Sequence, residues 1–214
     1  MRRSDAGARS LSEKLTVRKL DSLLFASGNR GKYVEVVDLF RPLGITILFG
    51  PDKVDIEVEE TGSSYESNAY LKARAFALAS GIPSLSDDSG VEVRALNWEP
   101  GIFSARLASA DEERISLLLE RMEGKQDRFA RYVAAFALYF PSEEFCILTE
   151  GICPGEIRTA PSGGLGFGYD PIFAPYGFEG TFGEIPETVK RKISHRAVAG
   201  YRLMDILSGN CVVE

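Results

Sequence analysis

Two adjacent aspartates, Asp87 and Asp88, stand in the segment SLSDDSG, whose other residues are small or apolar. Paired carboxylates in such a place suit a divalent cation, because Mg²⁺ takes a few carboxylates and completes its shell with water and phosphate oxygens. Upstream, Glu57, Glu59 and Glu60 form a second acidic run, EVEE, which read alone is a solvated face rather than a site. A grip for phosphate is offered by SGNRGK, Ser27 to Lys32. Backbone N–H groups in a glycine-containing turn that opens a helix favour an anion, as does the positive end of the helix dipole. Around Gly28 and Gly31, the side chains of Ser27, Asn29, Arg30 and Lys32 add donors. The segment is not a Walker A loop: two residues separate Gly28 from Gly31 where four are needed, and Tyr33 replaces the metal-binding hydroxyl.

Three further groups carry polar chemistry. Asn68 and Lys72 are four residues apart, which places them on one face of a helix just after EETG. In GFGYDP, Gly166 to Pro171, the rings of Phe167 and Tyr169 can stack on a base, and Asp170 can accept from ring nitrogens. KRKISHR, Lys190 to Arg196, holds the one histidine of the chain. Ser194 is a candidate N-cap there, which puts His195 and Arg196 in the first turn of a helix. Arg196 is the stronger donor, and with no second histidine or nearby nucleophilic cysteine no triad is expected.

The elements that position these groups follow from periodicity. SLLFAS from Ser22 reads as a strand, and Tyr33, Val36, Val37, Phe40 and Leu43 recur at helical spacing after SGNRGK. Ile45 to Phe49 is a second strand, and a second helix runs from Ser64 or Tyr65 to Ala79, closed by Gly81 and Pro83. SLSDDSG reads as a short strand ending at Asp87 and Asp88, in a turn fixed by Gly90. A helix is expected over Ala110 to Met122, two long strands within Arg131 to Ile152 form an antiparallel hairpin, and a last helix spans Ile193 to Leu207 after a Pro- and Gly-rich stretch from Pro154 to Pro186. The sheet is therefore mixed.

The chain has 214 residues, 44% of them hydrophobic, enough for one sizeable core. Residues 21–214 are expected to form a single domain, and residues 1–20 an extension outside it. The net charge of −6 is uneven: those first twenty residues carry six Lys or Arg against Asp5 and Glu13. The remainder is acidic enough to disfavour non-specific binding of long nucleic acid. Apolar runs fall short of the ~20 residues that span a bilayer, so no membrane partner is expected. Cys146, Cys153 and Cys211 lack metal-type spacing and suit reduced thiols in a cytoplasmic protein.

In order and spacing, SGNRGK, EETG with NAYLKA, SDDSG, PGIFSAR, GFGYDPIF and SHR resemble the inosine triphosphatase (Ham1-like) family, pyrophosphatases of non-standard purine nucleoside triphosphates such as ITP, dITP and XTP. The resemblance runs from Leu23 to about Leu207. It implies an α/β fold, with a mixed twisted sheet flanked by helices and a cleft between two lobes, and a homodimer. It also implies Mg²⁺-dependent hydrolysis to the nucleoside monophosphate and pyrophosphate. Carried onto this sequence, it makes Ser27, Gly28, Asn29, Arg30, Gly31 and Lys32 the triphosphate grip. Glu59 and Asp88 become metal ligands, with Asp88 also activating water, and Glu60 is the alternative to Glu59. Ser89 and Lys190 contact substrate; Phe167, Gly168, Tyr169 and Asp170 hold base and sugar; His195 and Arg196 meet the purine edge. A catalytically silent nucleotide-binding module, or a Maf-type pyrophosphatase with a similar phosphate loop, are the alternative readings; the retained acids argue against the first, and GFGYDP and SHR against the second.

Overall fold

The apolar run after Asp21 becomes β1 (Ser22–Phe25), in which Leu23, Leu24 and Phe25 are fully buried. In the computed structural model, which describes residues 20–209, β1 passes through SGN into α1 (Arg30–Phe40). Asn29 caps that helix, its side chain accepting from the N–H of Lys32. β2 (Thr46–Phe49) lies parallel to β1. α2 (Tyr65–Ser80) opens with reciprocal hydrogen bonds between Ser64 and Ser67 and stops at Gly81, whose φ of 71° suits a residue without Cβ. The expected extension falls, Leu20 apart, outside the described residues, as does Cys211.

β3 (Ser84–Val93) runs parallel to β1 and antiparallel to β4 (Phe129–Phe140); β5 (Phe145–Ile157) and β6 (Phe173–Pro175) continue antiparallel. The six strands lie in the order β2-β1-β3-β4-β5-β6, a mixed sheet with the hairpin read from sequence at its centre. α3 (Asp111–Arg121), α4 (Glu187–Ile193) and α5 (His195–Leu207) complete the elements used below. No helix among the described residues is long and apolar enough to cross a membrane.

Three sequence readings need correction. SLSDDSG is not the end of a short strand: β3 continues through Gly90 to Val93. Gly90 serves close approach rather than a turn, because a Cβ there would lie 2.2 Å from the carbonyl oxygen of Gly101. The last helix starts at His195, where Ser194 accepts from the N–H of Ala197, and the residues before it form a separate helix, α4. The Pro- and Gly-rich stretch also contains the end of β5 and all of β6, short enough to escape a periodicity test.

Alternation along β4 divides the interior. Val133, Ala135, Ala137 and Tyr139 face α2. Residues of the other parity meet two different cores: Ala134, Phe136 and Leu138 pack with Phe25, Phe40 and Leu203, under α1 and α5, while Ala130 and Tyr132 pack with Val91, Leu118, Phe173 and Phe182. The change of core between Tyr132 and Ala134 marks the boundary of the two lobes, and the cleft opens over it.

Candidate active site

β3 sends the two aspartates to opposite faces of the sheet. Strand side chains alternate between faces, so Asp87, opposite Phe136, turns toward α1 and α5, and Asp88, opposite Ala135, turns toward α2. Asp87 is fully buried and meets Lys32 Nζ at 2.7 Å and Arg196 Nε at 2.7 Å. Burial alone raises a carboxyl pKa, but the Arg196 guanidinium and the Lys32 ammonium overcome it and hold Asp87 well below the usual range. Asp87 is thus a permanent anion that fixes two cations.

Asp88 lies on a cavity of about 350 Å³ lined also by Ser27, Gly28, Asn29, Lys32, Glu57, Glu60, Lys72, Ser89 and Arg106. Lys72 Nζ stands between Asp88 Oδ1, at 3.1 Å, and Glu60 Oε1, and Asn68 Nδ2 donates to Asp88 Oδ2 at 3.3 Å. Burial raises the pKa of Asp88 despite Lys72 and Lys32. Burial opposes ionisation of Glu60 too, but Lys72 and Arg106 prevail and lower its pKa. Lys32 is shifted downward, chiefly by burial and against its pairing with Asp87. An anion beside it would compensate that desolvated ammonium. The compartment therefore combines a helix N-terminus, three cations and paired acids.

A second cavity of about 340 Å³ adjoins the first and shares Asn29, Lys32, Ser89 and Ala105 with it. Its other lining includes Gly31, Ser104, Asp111, Arg114, Tyr132, Phe167, Gly168, Tyr169, Asp170, Lys190, His195 and Arg196. The 27–32 loop packs against the 166–170 turn, since a Cβ on Gly31 would come 3.0 Å from the Phe167 ring. The half-buried Phe167 has Lys190 Nζ 4.9 Å from its centroid. Tyr169 is buried and donates its hydroxyl proton to the carbonyl of Ser104 at 2.8 Å, so it holds the turn in place. Asp170 accepts from the N–H of Phe167 at 2.9 Å and from Lys190 Nζ at 2.6 Å, so it braces the turn rather than standing free.

His195 is stacked on Tyr132, with centroids 4.5 Å apart and planes at 13°. Burial first, then the charge of Arg196, push its pKa well below the ordinary value, and Nδ1 is buried with no protein partner. It is a neutral imidazole with one nitrogen uncommitted. Arg196 donates from Nε to Asp87, from Nη1 to Glu35 and from Nη2 to Ser89 at 3.1 Å, so most of its donors are already taken within the protein.

Of the residues singled out from sequence, Ser27, Gly28, Asn29, Gly31, Lys32, Asp88, Ser89, Phe167, Gly168, Tyr169, Asp170, Lys190, His195 and Arg196 all line one or both cavities. Arg30 does not: its side chain is 70% exposed, over the Phe49 ring and 3.7 Å from Asp52. Of EVEE, Glu60 lies at the cleft and Glu59 is exposed outside it. Residues not singled out are Glu35, Tyr132, Asp111 and Arg114, while Arg106 closes the motif PGIFSAR without having been given a role. Glu35 accepts from Lys190 Nζ at 2.8 Å and from Arg196; its only sequence signal is its place three residues after Lys32 on the same helical face.

The fold has counterparts among solved structures. A HAM1 protein from Coxiella burnetii superposes with a TM-score of 0.80 at 36% identity, covering 88% of this chain and 98% of that one. The Ham1 protein of Staphylococcus aureus gives 0.79 at 36% identity, over 89% and 100%. In sequence, the chain is 41% identical to a dITP/XTP pyrophosphatase of Synechocystis across 86% of this chain and 94% of that protein. It is 40% identical to one of Aquifex aeolicus across 88% and 97%. The model of the Ham1 family matches residues 23–206, and the chain belongs to that family.

Proposed function

We propose that this enzyme hydrolyses non-standard purine nucleoside triphosphates, dITP, XTP and ITP, to the nucleoside monophosphate and pyrophosphate. One observation carries the reading: a cation-lined compartment holding Asp88 opens directly into an aromatic compartment with polar donors, the shape and chemistry of a triphosphate joined to a base. Relatives named dITP/XTP pyrophosphatase over most of their length support it.

The triphosphate lies on the N-terminal turn of α1, with Lys32, Lys72 and Arg106 meeting its charge. Water attacks the α-phosphorus, the bond to the β-phosphate bridging oxygen breaks, pyrophosphate leaves, and Asp88 takes the proton of the attacking water. A carboxylate of raised pKa is suited to that role. A requirement for Mg²⁺ fits the donor set, because Asp88 and Glu60 already share one cation, the Lys72 ammonium. When bound, the metal would neutralise charge on the phosphates, with Asp88 and Glu60 as its protein ligands.

At the base, Phe167 supplies a stacking face, and neutral His195 and Lys190 stand beside the buried Arg196. A 6-oxo purine gives these donors an acceptor, whereas the 6-amino group of adenine leaves them unpaired, a mismatch that discriminates strongly. Pyrophosphate release from dITP, XTP, ITP, GTP and ATP, with and without Mg²⁺, tests the reading. We expect kcat/KM for the first three to exceed that for ATP by on the order of 10²-fold or more, and activity to vanish with EDTA. Equal values for all five nucleotides would remove the assignment. The family resemblance makes a homodimer the expected assembly, and the unbridged thiols of Cys146 and Cys153 suit the cytoplasm.

A further inference from the structure

The turn that carries Phe167 is held from two sides. From below, Asp170 accepts the N–H of Phe167. From across the cavity, Asp111, the first residue of α3, accepts the N–H of Gly168 through Oδ2 at 2.7 Å, over a separation of fifty-seven residues. An aspartate at this position would ordinarily serve its own helix N-terminus. Here Arg114 draws the carboxylate outward: Nη1 donates to Asp111 Oδ1 at 2.7 Å, while Nε donates to the carbonyl of Ala108 at 2.8 Å and Nη2 to that of Ser109 at 3.0 Å. The guanidinium thus fixes the chain leading into α3 and the carboxylate that spans to the turn. Asp111 and Arg114 both line the base cavity and are absent from the phosphate cavity.

We infer that Asp111, oriented by Arg114, is a positioning residue that latches the 166–170 turn over the base and sets the width of the slot into which a purine slides. Gly166 and Gly168 adopt φ of 76° and 63°, conformations that leave this turn with little intrinsic preference for one shape. The hydrogen bond that Asp111 accepts from Gly168 selects the shape that keeps Phe167 facing Lys190 and Arg196. The inference rests on the purine reading above and adds to it a residue outside the phosphate grip, at the mouth of the base cavity.

Calorimetric titration of IMP and of inorganic tripolyphosphate into wild type, Asp111→Ala and Asp111→Asn, together with ITP kinetics, tests it. Asp111 is partly exposed, and unfolding curves would verify that the variants fold. We expect Asp111→Ala to bind IMP about tenfold more weakly, as for the loss of one charge-assisted hydrogen bond, and to raise KM for ITP with kcat within about twofold. Tripolyphosphate affinity should stay unchanged, and Asp111→Asn, which has one acceptor oxygen to divide between Gly168 and Arg114, should also weaken IMP binding, by no more than Asp111→Ala does. Unchanged IMP binding in Asp111→Ala, equal weakening of both ligands, or weaker IMP binding in Asp111→Asn than in Asp111→Ala would overturn the latch. A wild-type chain that bound tripolyphosphate but not IMP would instead sink the purine reading, and the latch with it.

Discussion

Asp87 and Asp88 differ by one step along a strand and therefore by the whole face of the sheet they meet. Asp88→Asn keeps the size of the side chain and one of its two acceptors but removes the base, and should lower kcat for ITP by on the order of 10²- to 10⁴-fold, an effect much larger than its change in unfolding midpoint. Asp87→Asn should act first on stability: it leaves Lys32 and Arg196 as buried cations without their shared anion, a loss of about 3–5 kcal/mol visible in urea unfolding. Composition could not separate these roles, since nothing in the letters DD says which side faces water. The distinction needs a strand that continues past Gly90, and taking that glycine for a turn hid it. His195 offers a pH test, being the one histidine in the chain. Its folded pKa lies below its unfolded value, so as pH falls through about 6.5 the unfolded state gains a proton that the folded state does not. Stability should then drop by about 1.4 kcal/mol per pH unit. The raised pKa values of Asp88 and Asp170 act in the opposite sense, so the difference between wild type and His195→Gln isolates the histidine. Equal slopes for the two proteins between pH 7 and 5.5 would show that His195 titrates normally.

At the scale of elements, β3 works only because the 3-10 turn Gly101–Arg106 presses onto it at Gly90. Ser104 of that turn donates to the carbonyl of Gly101 and accepts from the N–H of Val91 at 2.9 Å. The added methyl of Gly90→Ala would push the turn away, costing about 1–3 kcal/mol and displacing Arg106 from Glu60. A fall in the urea midpoint together with weaker tripolyphosphate binding is the expected result, and unchanged values of both would refute the contact. The strong periodic elements were readable in advance: β1, α1, α2, α3 and the β4–β5 hairpin lie within a few residues of their sequence positions, since each combines an apolar period with a cap or a turn residue. α4 and β6 were not, because seven and three residues are too few for a period to show. Their places are set by contacts with distant elements: Lys190 on α4 answers Glu35 and Asp170, and β6 adds to the edge of β5.

For the molecule as a whole, β3, β4 and β5 pass through both lobes, so neither core can be lost while the other keeps its strands. Calorimetry should therefore show one cooperative unfolding transition, with calorimetric and van't Hoff enthalpies in agreement. Two resolved transitions would mean that the lobes are separable units. The cleft was legible as a list of motifs but not as two compartments, because SGNRGK and DDSG each contribute to both while KRKISHR lines one, and only the first turn of α1 and the pleat of β3 distribute those side chains between them.

Asp170, Lys190, Glu35, Arg196, Asp87 and Lys32 touch in that order and alternate in sign from the base end of the cleft to the phosphate end. Such a line constrains how the protein can change. A substitution that alters the charge of one member strands its neighbours in a buried setting, so viable variants have to arise as compensated pairs along the line. Attempts to redirect base choice by exchanging Lys190 or Arg196 alone should yield poorly folded protein before they yield new selectivity. The open side of the base cavity, at Asp111 and Arg114, is where single substitutions have room to act.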